Sequence, residues 1–337
     1  MIKISALSVA IIGHQKQWQF LRKSAELNRF NHAYLFWGQS HLGKRVIAKE
    51  FVRLLNCQED PRHFSNSSSG QTNFTKSSGG CQKCWSCQAF QREIHPDLIF
   101  IKSEGKEIKI SQIRHLQYFL SFRPHSSLFK AVVLEEAERM NSEAQSCLLK
   151  TLEEPSKNSL LFLLTEHPRM LLPTILSRVQ TIKFFPVPKS EIKDYLKTHK
   201  ISSSNIELIS SLSFGRPGLA LEFSKNPEKL EKAYKTIKEI AEMSQLELAD
   251  RFQYVKTLAS QEHDPKEILE SWLRYFRDIL RIKIGLPPEL EISSSFGYNP
   301  SIPQIKQIIN SIEKINFLIS STNVNLKLAL EQIMLKI

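Results

Sequence analysis

The chain has 337 residues, of which 41% are hydrophobic, and its lysines and arginines exceed its aspartates and glutamates by 12. This length allows a sizeable core in two or three domains, and the basic balance favours contact with polyanions. A membrane span is not expected, because no stretch reaches ~20 uninterrupted apolar residues. The five cysteines, four of them between residues 57 and 87, do not form the pattern of a secreted disulfide scaffold.

The start of the chain predicts a helix and then a buried strand. Residues 1–12 lack the positively charged lead and small-residue cleavage site of a secretion signal, so a cytoplasmic protein is expected. Apolar residues at helical spacing predict a helix over residues 16–30, and the apolar run at 32–37 predicts a strand.

The strand leads into a loop that has the spacing of a phosphate-binding loop. Gly38, Gly43 and Lys44 match a pattern in which backbone N–H groups and a lysine face a polyphosphate at the start of a helix. The next position should carry a Ser or Thr hydroxyl that binds Mg²⁺, but Arg45 has no acceptor atom and the wrong charge. We therefore expect the loop to be kept as architecture, with ATP binding either absent or non-hydrolytic.

A polar, low-complexity segment over residues 58–80 is expected to be a disordered insertion. Four cysteines flank it, the last three as overlapping Cys-x-x-Cys turns: Cys57, Cys81, Cys84 and Cys87. Zn²⁺ prefers four tetrahedral thiolate or imidazole ligands, and such turns let two sulfurs reach one ion. The spacing favours a zinc site over a redox pair or unligated buried thiols. His95 is an alternative fourth ligand in place of Cys57.

Another strand and helix are expected after the cysteines. Residues 95–101 predict a sheet strand, and residues 110–122 predict an amphipathic helix. Arg123, His125 and Lys130 lie between that helix and the next strand. A solvated basic loop is the favoured explanation of these three residues, with contact to DNA phosphate as the alternative.

The central stretch, residues 130–183, predicts two buried strands on either side of a short helix. Continuous apolar runs at 131–134 and 160–164 are typical of parallel strands that are covered on both faces. The first run ends at Glu135 and Glu136. An acid pair at the end of a strand is a candidate for a functional site.

The helix between these strands is expected to begin at a cap formed by Asn141 or Ser142 and to end before Pro155. Its last turn carries Glu153 and Glu154, which place negative charge at the negative end of the helix dipole. A solvated acidic tip is the simple explanation of that arrangement.

The second apolar run ends at the polar Thr165. A loop over residues 173–178 then leads to a third strand through Ile182 and Phe184. We therefore expect Thr165 and Arg178 to lie near the rim of an open sheet.

Three runs of this sequence closely resemble the bacterial clamp-loader AAA+ family. They are residues 135–141, 148–155 and 172–179, and the string Leu-Leu-Lys-Thr-Leu-Glu-Glu-Pro within them is long and unusual. The resemblance carries the family's Ser-Arg-Cys motif onto Ser177 and Arg178, with Val179 in place of the Cys. In that family the arginine is a finger that reaches ATP bound by the neighbouring subunit.

The resemblance also implies a degenerate nucleotide site. Its residues would be Gly38, Gly43, Lys44, Glu135, Glu136 and Thr165. Glu135 stands where the family carries a metal-binding Asp and is one methylene longer. Gly218 aligns with the arginine of a second sensor, although Arg216 is close by. ATP hydrolysis by this chain is therefore not expected.

The expected architecture has three domains, the last two helical. They are an α/β AAA+ P-loop core at 1–185 with a zinc module at 57–87, a lid at 186–238 and a collar at 239–337. The family carries a comparable four-cysteine module after its first helix, which adds weight to zinc. Its C-terminal collar joins five subunits, so the resemblance implies the same assembly role here.

The resemblance implies a DNA polymerase III clamp-loader subunit that has no ATPase activity of its own and supplies Arg178 in trans. Its partners would be gamma/tau-type ATPases and delta in a hetero-pentamer, which would load the sliding clamp on primed DNA, with no membrane contact. Two alternatives are an ATP-hydrolysing gamma/tau-type motor subunit and a stand-alone zinc-containing DNA-binding protein. For Arg178 itself, the alternative is an ion pair with Glu153 or Glu154.

Overall fold

The computed structural model describes residues 11–59, 80–198, 205–260, 264–290, 298–321 and 324–337. Most of the predicted Ser-rich insertion, together with residues 1–10, lies outside the described residues. The chain divides into two compact units, Met1–Glu191 with Arg216–Gly218 and Ile192–Gly215 with Leu219–Ile337. The bounds of the three predicted domains, including the division into lid and collar, stay predictions.

The first unit combines a sheet with helices, and the second is helical. The strands are β1 (Ala33–Trp37), β2 (Leu98–Ile101), β3 (Lys130–Leu134), β4 (Ser159–Thr165) and β5 (Gln180–Lys183). The helices before and between them are α1 (Gln15–Glu26), α2 (Lys44–Leu55), α3 (Trp85–Gln91), α4 (Ile110–Ser121), α5 (Ser142–Glu153) and α6 (Pro173–Leu176). The later helices are α7 (Lys189–Thr198), α8 (Ile206–Leu212), α9 (Pro217–Lys225), α10 (Pro227–Met243), α11 (Leu248–Ser260), α12 (Pro265–Lys283), α13 (Ile302–Ser321) and α14 (Leu326–Met334).

The five strands are parallel and lie in the order β2-β3-β4-β1-β5, which confirms the predicted α/β core. Trp37, the last residue of β1, pairs with Thr165 on one side and with Lys183 on the other. Residues that follow the carboxyl ends of parallel strands meet at one edge of a sheet, here called the carboxyl edge. The loop after β1 and the two acids after β3 therefore belong to that edge.

Alternate residues of β3 face two separate hydrophobic clusters. Ala131 and Val133 pack with residues of α1 and α2, whereas Val132 and Leu134 pack with residues of α4 and α5. Every residue of β3 and β4 is buried. Helices cover both faces of the sheet, which explains why these strands appear in the sequence as continuous apolar runs.

The helix α5 begins as the sequence predicts. The side chain of Asn141 accepts a hydrogen bond from the N–H of Ala144 at 2.9 Å, so Asn141 is the cap. The helix ends at Glu153, two residues before Pro155.

The second unit is built from helices around buried aromatic side chains. The helix α12 packs against α10 and α13, and its Trp272 and Phe276 are fully buried. This agrees with the helical C-terminal region that the sequence predicts. In the described part of the chain, no helix has both the length and the apolar surface that crossing a bilayer requires.

Candidate functional sites

The phosphate loop begins where β1 ends. The backbone conformation of the loop explains why both predicted positions carry glycine. Gly38 has φ +150° and donates its N–H to the carbonyl of Thr165 at 3.1 Å. A Cβ on Gly38 would lie 2.6 Å from the carbonyl oxygen of Phe184, so no other residue fits there. Gly43 has φ +93° and immediately precedes α2. The loop therefore has the strand-to-helix shape that its spacing predicts.

Lys44 points back into its own loop. Its ammonium is buried and donates to the carbonyls of Gly38 and Gln39, the latter at 2.9 Å. A lysine that reaches the outer oxygens of a nucleotide would have to leave both carbonyls. The ammonium of Lys44 is thus hydrogen-bonded within the loop itself.

Arg45 connects the start of α2 to the end of β3. Its guanidinium donates to the carboxylate of Glu135 at 2.5 Å and, through its other nitrogen, to the carboxylate of Glu93. The same guanidinium lies over the ring of Phe100, 4.0 Å from the ring centre. Glu93 also accepts from Lys49 at 3.0 Å. Burial raises the pKa of Glu93, but the bonds and charges of Lys49 and Arg45 outweigh it and hold that pKa below its ordinary value.

The other predicted nucleotide residues do not join Arg45. Glu136 adopts a left-handed backbone with φ +53° and turns to Ser103, whose hydroxyl donates to it at 2.5 Å. Thr165 is buried, and its hydroxyl oxygen accepts from the N–H of His167 at 3.0 Å. The structure therefore brings Gly38, Glu135 and Thr165 to the carboxyl edge but separates the two acids.

Two further groups cover the loop from outside it. The ring of His14 donates from Nε2 to the carbonyl of Leu42 at 2.9 Å, and burial lowers its pKa, which keeps the ring neutral despite that bond. The N–H of Gly218 donates to the carbonyl of His41 at 2.8 Å, and a Cβ on Gly218 would lie 2.9 Å from that oxygen. An arginine at position 218, as a second sensor requires, would not fit without displacing the loop.

The residues at the carboxyl edge do not fit a magnesium–nucleotide site. The position for a hydroxyl ligand holds Arg45, and the position for a carboxylate ligand, Glu135, accepts from that arginine. Lys44 is bonded to loop carbonyls as well. Each residue that should face Mg²⁺ or phosphate is thus satisfied within the chain.

Arg178 lies at the surface immediately after α6. Its guanidinium is 2.9 Å from the carboxylate of Glu153, and the two side chains are 37% and 51% exposed. It also donates to the carbonyl of Thr174 at 3.1 Å and to the hydroxyl of Ser177 at 3.2 Å. The predicted pair of Ser177 and Arg178 is therefore together, and the ion pair weighed as the alternative is present in the isolated chain.

Arg178 and the phosphate loop lie at opposite edges of the sheet. Arg178 comes two residues before β5, whose first residue Gln180 pairs with Tyr34 near the start of β1. The phosphate loop instead follows Trp37 at the end of β1. Five residues at about 3.3 Å each separate the two edges by roughly 15 Å. Sequence alone placed both Thr165 and Arg178 at a rim, but they occupy different rims.

The four predicted cysteines converge. The sulfurs of Cys57, Cys81, Cys84 and Cys87 all lie within 4.8 Å of one another, and those of Cys81 and Cys87 are 4.0 Å apart. Tetrahedral thiolates around Zn²⁺ are separated by about 3.8 Å, so the group has the dimensions of a zinc site. Backbone N–H groups point at three of the sulfurs at 3.3 to 3.4 Å. This donor set fits a metal ion that prefers thiolates.

The thiols share their protons unequally. A hydrogen bond from the Cys87 thiol lowers the pKa of Cys57 to about 5, although burial opposes that shift. The same hydrogen bond, together with burial, raises the pKa of Cys87. Burial raises the pKa of Cys81 to about 11. One thiolate is thus stabilised by neighbouring thiols, as expected where several sulfur donors face one point.

Two residues that the sequence left open have structural roles elsewhere. His95, the alternative ligand, stacks on Phe90 with ring centres 3.9 Å apart and accepts from the N–H of Asp97 at 3.1 Å. It is not part of the cysteine group among the described residues. Lys130 was expected in a basic loop, but it is the buried first residue of β3 and donates to the carbonyl of Phe119 at 3.0 Å. It cannot reach DNA phosphate from there.

Sequence reasoning missed the partners of the loop, namely His14, Glu93 and the backbone of Gly218. Glu93 is 48 residues away from Arg45 and has no motif around it. In the sequence Glu93 stands directly before Ile-His-Pro, and that stretch predicts no specific site.

Comparisons with known proteins agree on one family. The sequence model described as DNA polymerase III, delta subunit, matches residues 13–188, more than half of the chain. The DNA polymerase III subunit delta' of Bacillus subtilis (strain 168) is 31% identical over 274 residues, which cover 79% of this chain and 77% of that protein. The delta' subunit of Pseudomonas aeruginosa is 36% identical over 149 residues, covering 44% of this chain and 41% of that one. The tau subunit of Bacillus subtilis is less similar, at 25% identity over 303 residues, covering 83% and 51%. The chain therefore belongs to the delta-prime family of DNA polymerase III clamp-loader subunits.

Proposed function

We propose that this chain acts in a clamp loader without hydrolysing ATP itself and lends Arg178 to the ATP of a neighbouring ATPase subunit. Ser177, whose hydroxyl accepts from the guanidinium, holds Arg178 in place. One observation carries the proposal: Arg178 lies at the edge of the sheet opposite the chain's own phosphate loop. A guanidinium at that edge can act only on a nucleotide held by another subunit.

The ion pair of Arg178 with Glu153 is weak enough for a phosphate to replace Glu153. An exposed ion pair such as that with Glu153 contributes about 0–1 kcal/mol, because water already solvates both charges. A guanidinium binds phosphate oxygens with the same two-pronged geometry as a carboxylate and with more negative charge opposite it. The phosphate of a docked neighbour would therefore displace Glu153 at little cost.

The state of the chain's own loop supports a non-hydrolytic subunit. Arg45 replaces the hydroxyl ligand and binds Glu135, while Lys44 donates to loop carbonyls. A motor subunit needs those groups on Mg²⁺ and phosphate. ATP turnover by the purified chain that is lost on Lys44→Ala would favour the motor alternative and contradict the proposal.

The partners follow from the family. Relatives of this chain are named delta', tau and gamma subunits of DNA polymerase III. We propose gamma/tau-type ATPases and delta as partners in a hetero-pentamer, with the helical second unit as the assembly collar. The sliding clamp and primed DNA would be reached through this complex in the cytoplasm. Zn²⁺ held by the four cysteines would be a structural ion.

The test is to reconstitute the loader with Arg178→Ala. Because an arginine finger contributes a factor of about 10³ or more to phosphoryl transfer, DNA-stimulated hydrolysis at the site it serves should be lost while assembly is kept. Arg169→Ala, which changes another exposed arginine ahead of the motif, is the matched control and should keep wild-type rates. Wild-type hydrolysis in the assembled Arg178→Ala complex would refute the role.

A further inference from the structure

Arg45 occupies the place of a metal ligand and donates to Glu135, the carboxylate at the metal-binding position. We propose that Arg45 replaces a magnesium ion in this chain, fixing the start of α2 to the carboxylate of Glu135 without any nucleotide. The inference goes beyond the proposed function, because neither Arg178 nor assembly enters it. It can therefore be tested on the isolated chain.

The first support is the set of elements that Arg45 connects. In a working phosphate loop, Mg²⁺ joins a hydroxyl at the start of the helix to an acid after a neighbouring strand. Here one guanidinium nitrogen of Arg45 reaches that acid position, Glu135, at 2.5 Å. The same two elements are thus joined, with a side chain of the helix itself as the cation.

The second support is that the guanidinium is held from several sides. Its second nitrogen donates to Glu93, and its face lies 4.0 Å from the ring centre of Phe100. Glu93 has φ +60°, a conformation that residues other than glycine rarely adopt, and its other carboxylate oxygen accepts from Lys49 at 3.0 Å. Two carboxylates and an aromatic ring fix Arg45 more firmly than a single surface ion pair would.

The third support is that the arrangement excludes the metal chemically. Mg²⁺ requires a near-octahedral shell of oxygen ligands, and Oε1 of Glu135 already accepts from Arg45. A divalent cation in the same place would face the positive charges of Arg45 and Lys49. The loop therefore keeps one arrangement whether or not Mg²⁺ or nucleotide is in solution.

The experiment compares thermal unfolding of the isolated chain in buffer with Mg²⁺ and in buffer without Mg²⁺, with no chelator in either, so that zinc on the cysteines is left in place. The variant Arg45→Ser removes the guanidinium and restores a hydroxyl beside Glu135 and Glu93. We expect its midpoint without Mg²⁺ to fall by about 3 °C or more and to rise again with Mg²⁺, because the uncovered carboxylates now bind the ion. The wild-type midpoint should be the same in both solutions.

Arg22→Ser is the matched control, because Arg22 lies on α1 and forms a partly exposed ion pair with Glu26 at 2.9 Å. It should leave the midpoint unchanged in both solutions. The proposal is overturned if Arg45→Ser is as stable as the wild type without Mg²⁺. It is also overturned if Mg²⁺ stabilises the wild type as much as this variant, or fails to stabilise the variant at all.

A measurement on the wild type covers the case in which Arg45→Ser does not fold. Hydrogen exchange of residues 38–45 is compared in ATP with Mg²⁺ and in ATP without Mg²⁺, with no chelator added. Equal exchange in the two solutions is expected, because the cation of this site is part of the chain. Protection that depends on Mg²⁺ would overturn the proposal.

Discussion

The guanidinium of Arg178 lies 2.9 Å from the carboxylate of Glu153, and this pair explains how the chain tolerates an acid at the end of α5. Glu153 is the last residue of α5, where a negative charge meets the negative end of the helix dipole. The positive charge of Arg178 offsets that repulsion in the isolated chain. Glu153 is thus the partner of Arg178 in the isolated chain. We propose that Arg178 leaves it to act on the nucleotide of a neighbouring subunit.

This pair leads to a first prediction, for Glu153→Gln. Losing an exposed ion pair costs about 0–1 kcal/mol, and removing a negative charge from the helix end returns a similar amount, so the free energy of unfolding should hardly change. The reconstituted loader should hydrolyse ATP at least as fast as the wild type, because Arg178 is released. Denaturant unfolding and DNA-stimulated ATPase assays measure the two effects.

The control for this variant is Glu154→Gln, which removes the neighbouring exposed carboxylate. It should leave the ATPase rate as it is and change the free energy of unfolding by about 1 kcal/mol or less, through the helix dipole alone. If Glu153→Gln instead lowers the ATPase rate as far as Arg178→Ala, then Glu153 positions the arginine and does not compete for it.

A second prediction concerns metal content. The purified chain should carry one zinc ion, and Cys84→Ser should lose it, because three thiolates and a hydroxyl bind Zn²⁺ much more weakly than four thiolates. The thermal midpoint of the variant should fall by several degrees, and a strong chelator should lower that of the wild type. Elemental analysis and thermal unfolding provide the readouts.

Cys147→Ser is the control for the metal. Cys147 lies on α5, outside the cysteine group, and its thiol donates to the side chain of Gln117 at 3.5 Å, a bond that a hydroxyl can also make. It should keep the zinc. A native, metal-free wild-type chain would rule out the zinc site.

A third prediction tests the core beneath the phosphate loop. Phe162 of β4 is fully buried, stacks on Tyr34 with ring centres 5.5 Å apart, and meets Phe36 edge-on at 5.5 Å. Phe162→Ala should lower the free energy of unfolding by about 3–5 kcal/mol, because it leaves a cavity among rigid aromatic neighbours. Phe20→Ala, at a residue that is 50% exposed, should cost about 1 kcal/mol or less in the same denaturant titration. Equal losses would show that this cluster is not the core.

The sequence predicted those parts of the fold that depend on local pattern. The apolar runs of β3 and β4 are continuous because helices cover both faces of the sheet, so the pattern itself reports their burial. The phosphate loop was predictable because its glycines need backbone angles that few residues adopt. The cysteine group was predictable because a Cys-x-x-Cys turn fixes the distance between its sulfurs.

The parts that could not be predicted depend on which strands are neighbours. The partner of Arg45, Glu93, is brought to it by the packing of the segment after α3, which no spacing encodes. To predict the edge on which Arg178 lies, one needs to know that β1 and β5 are neighbours in the sheet. Lys130 was predicted to lie in a basic loop. Its burial depends on packing against the ring of Phe119 in α4, which local sequence does not show. Long-range pairing, and not local propensity, decides each of these cases.

The last prediction concerns a buried carboxylate that anchors the segment before β3. Asp97 is fully buried and accepts hydrogen bonds from the N–H groups of His125 and Ser126, at 2.8 and 3.0 Å, and from the hydroxyl of Ser127 at 2.7 Å. Burial alone raises the pKa of Asp97, but these bonds outweigh burial and hold it below its ordinary value. The native state therefore prefers the ionised form more strongly than the unfolded chain does.

The sign of the pH effect follows. A depressed pKa adds stability that is fully present above the unfolded-state pKa of about 3.9 and is lost as the pH falls through the native pKa. Asp97→Asn replaces the charged acceptor with an amide whose N–H₂ group faces other donors, which should cost about 2–3 kcal/mol near neutral pH. Urea unfolding should show this gap shrinking as the pH falls below the unfolded-state pKa of about 3.9, because the wild-type carboxyl then loses the advantage of its charge. Asp194→Asn, at an exposed position of α7, should change little at either pH. A gap for Asp97→Asn that is the same at both pH values would mean that shape, and not charge, makes Asp97 necessary.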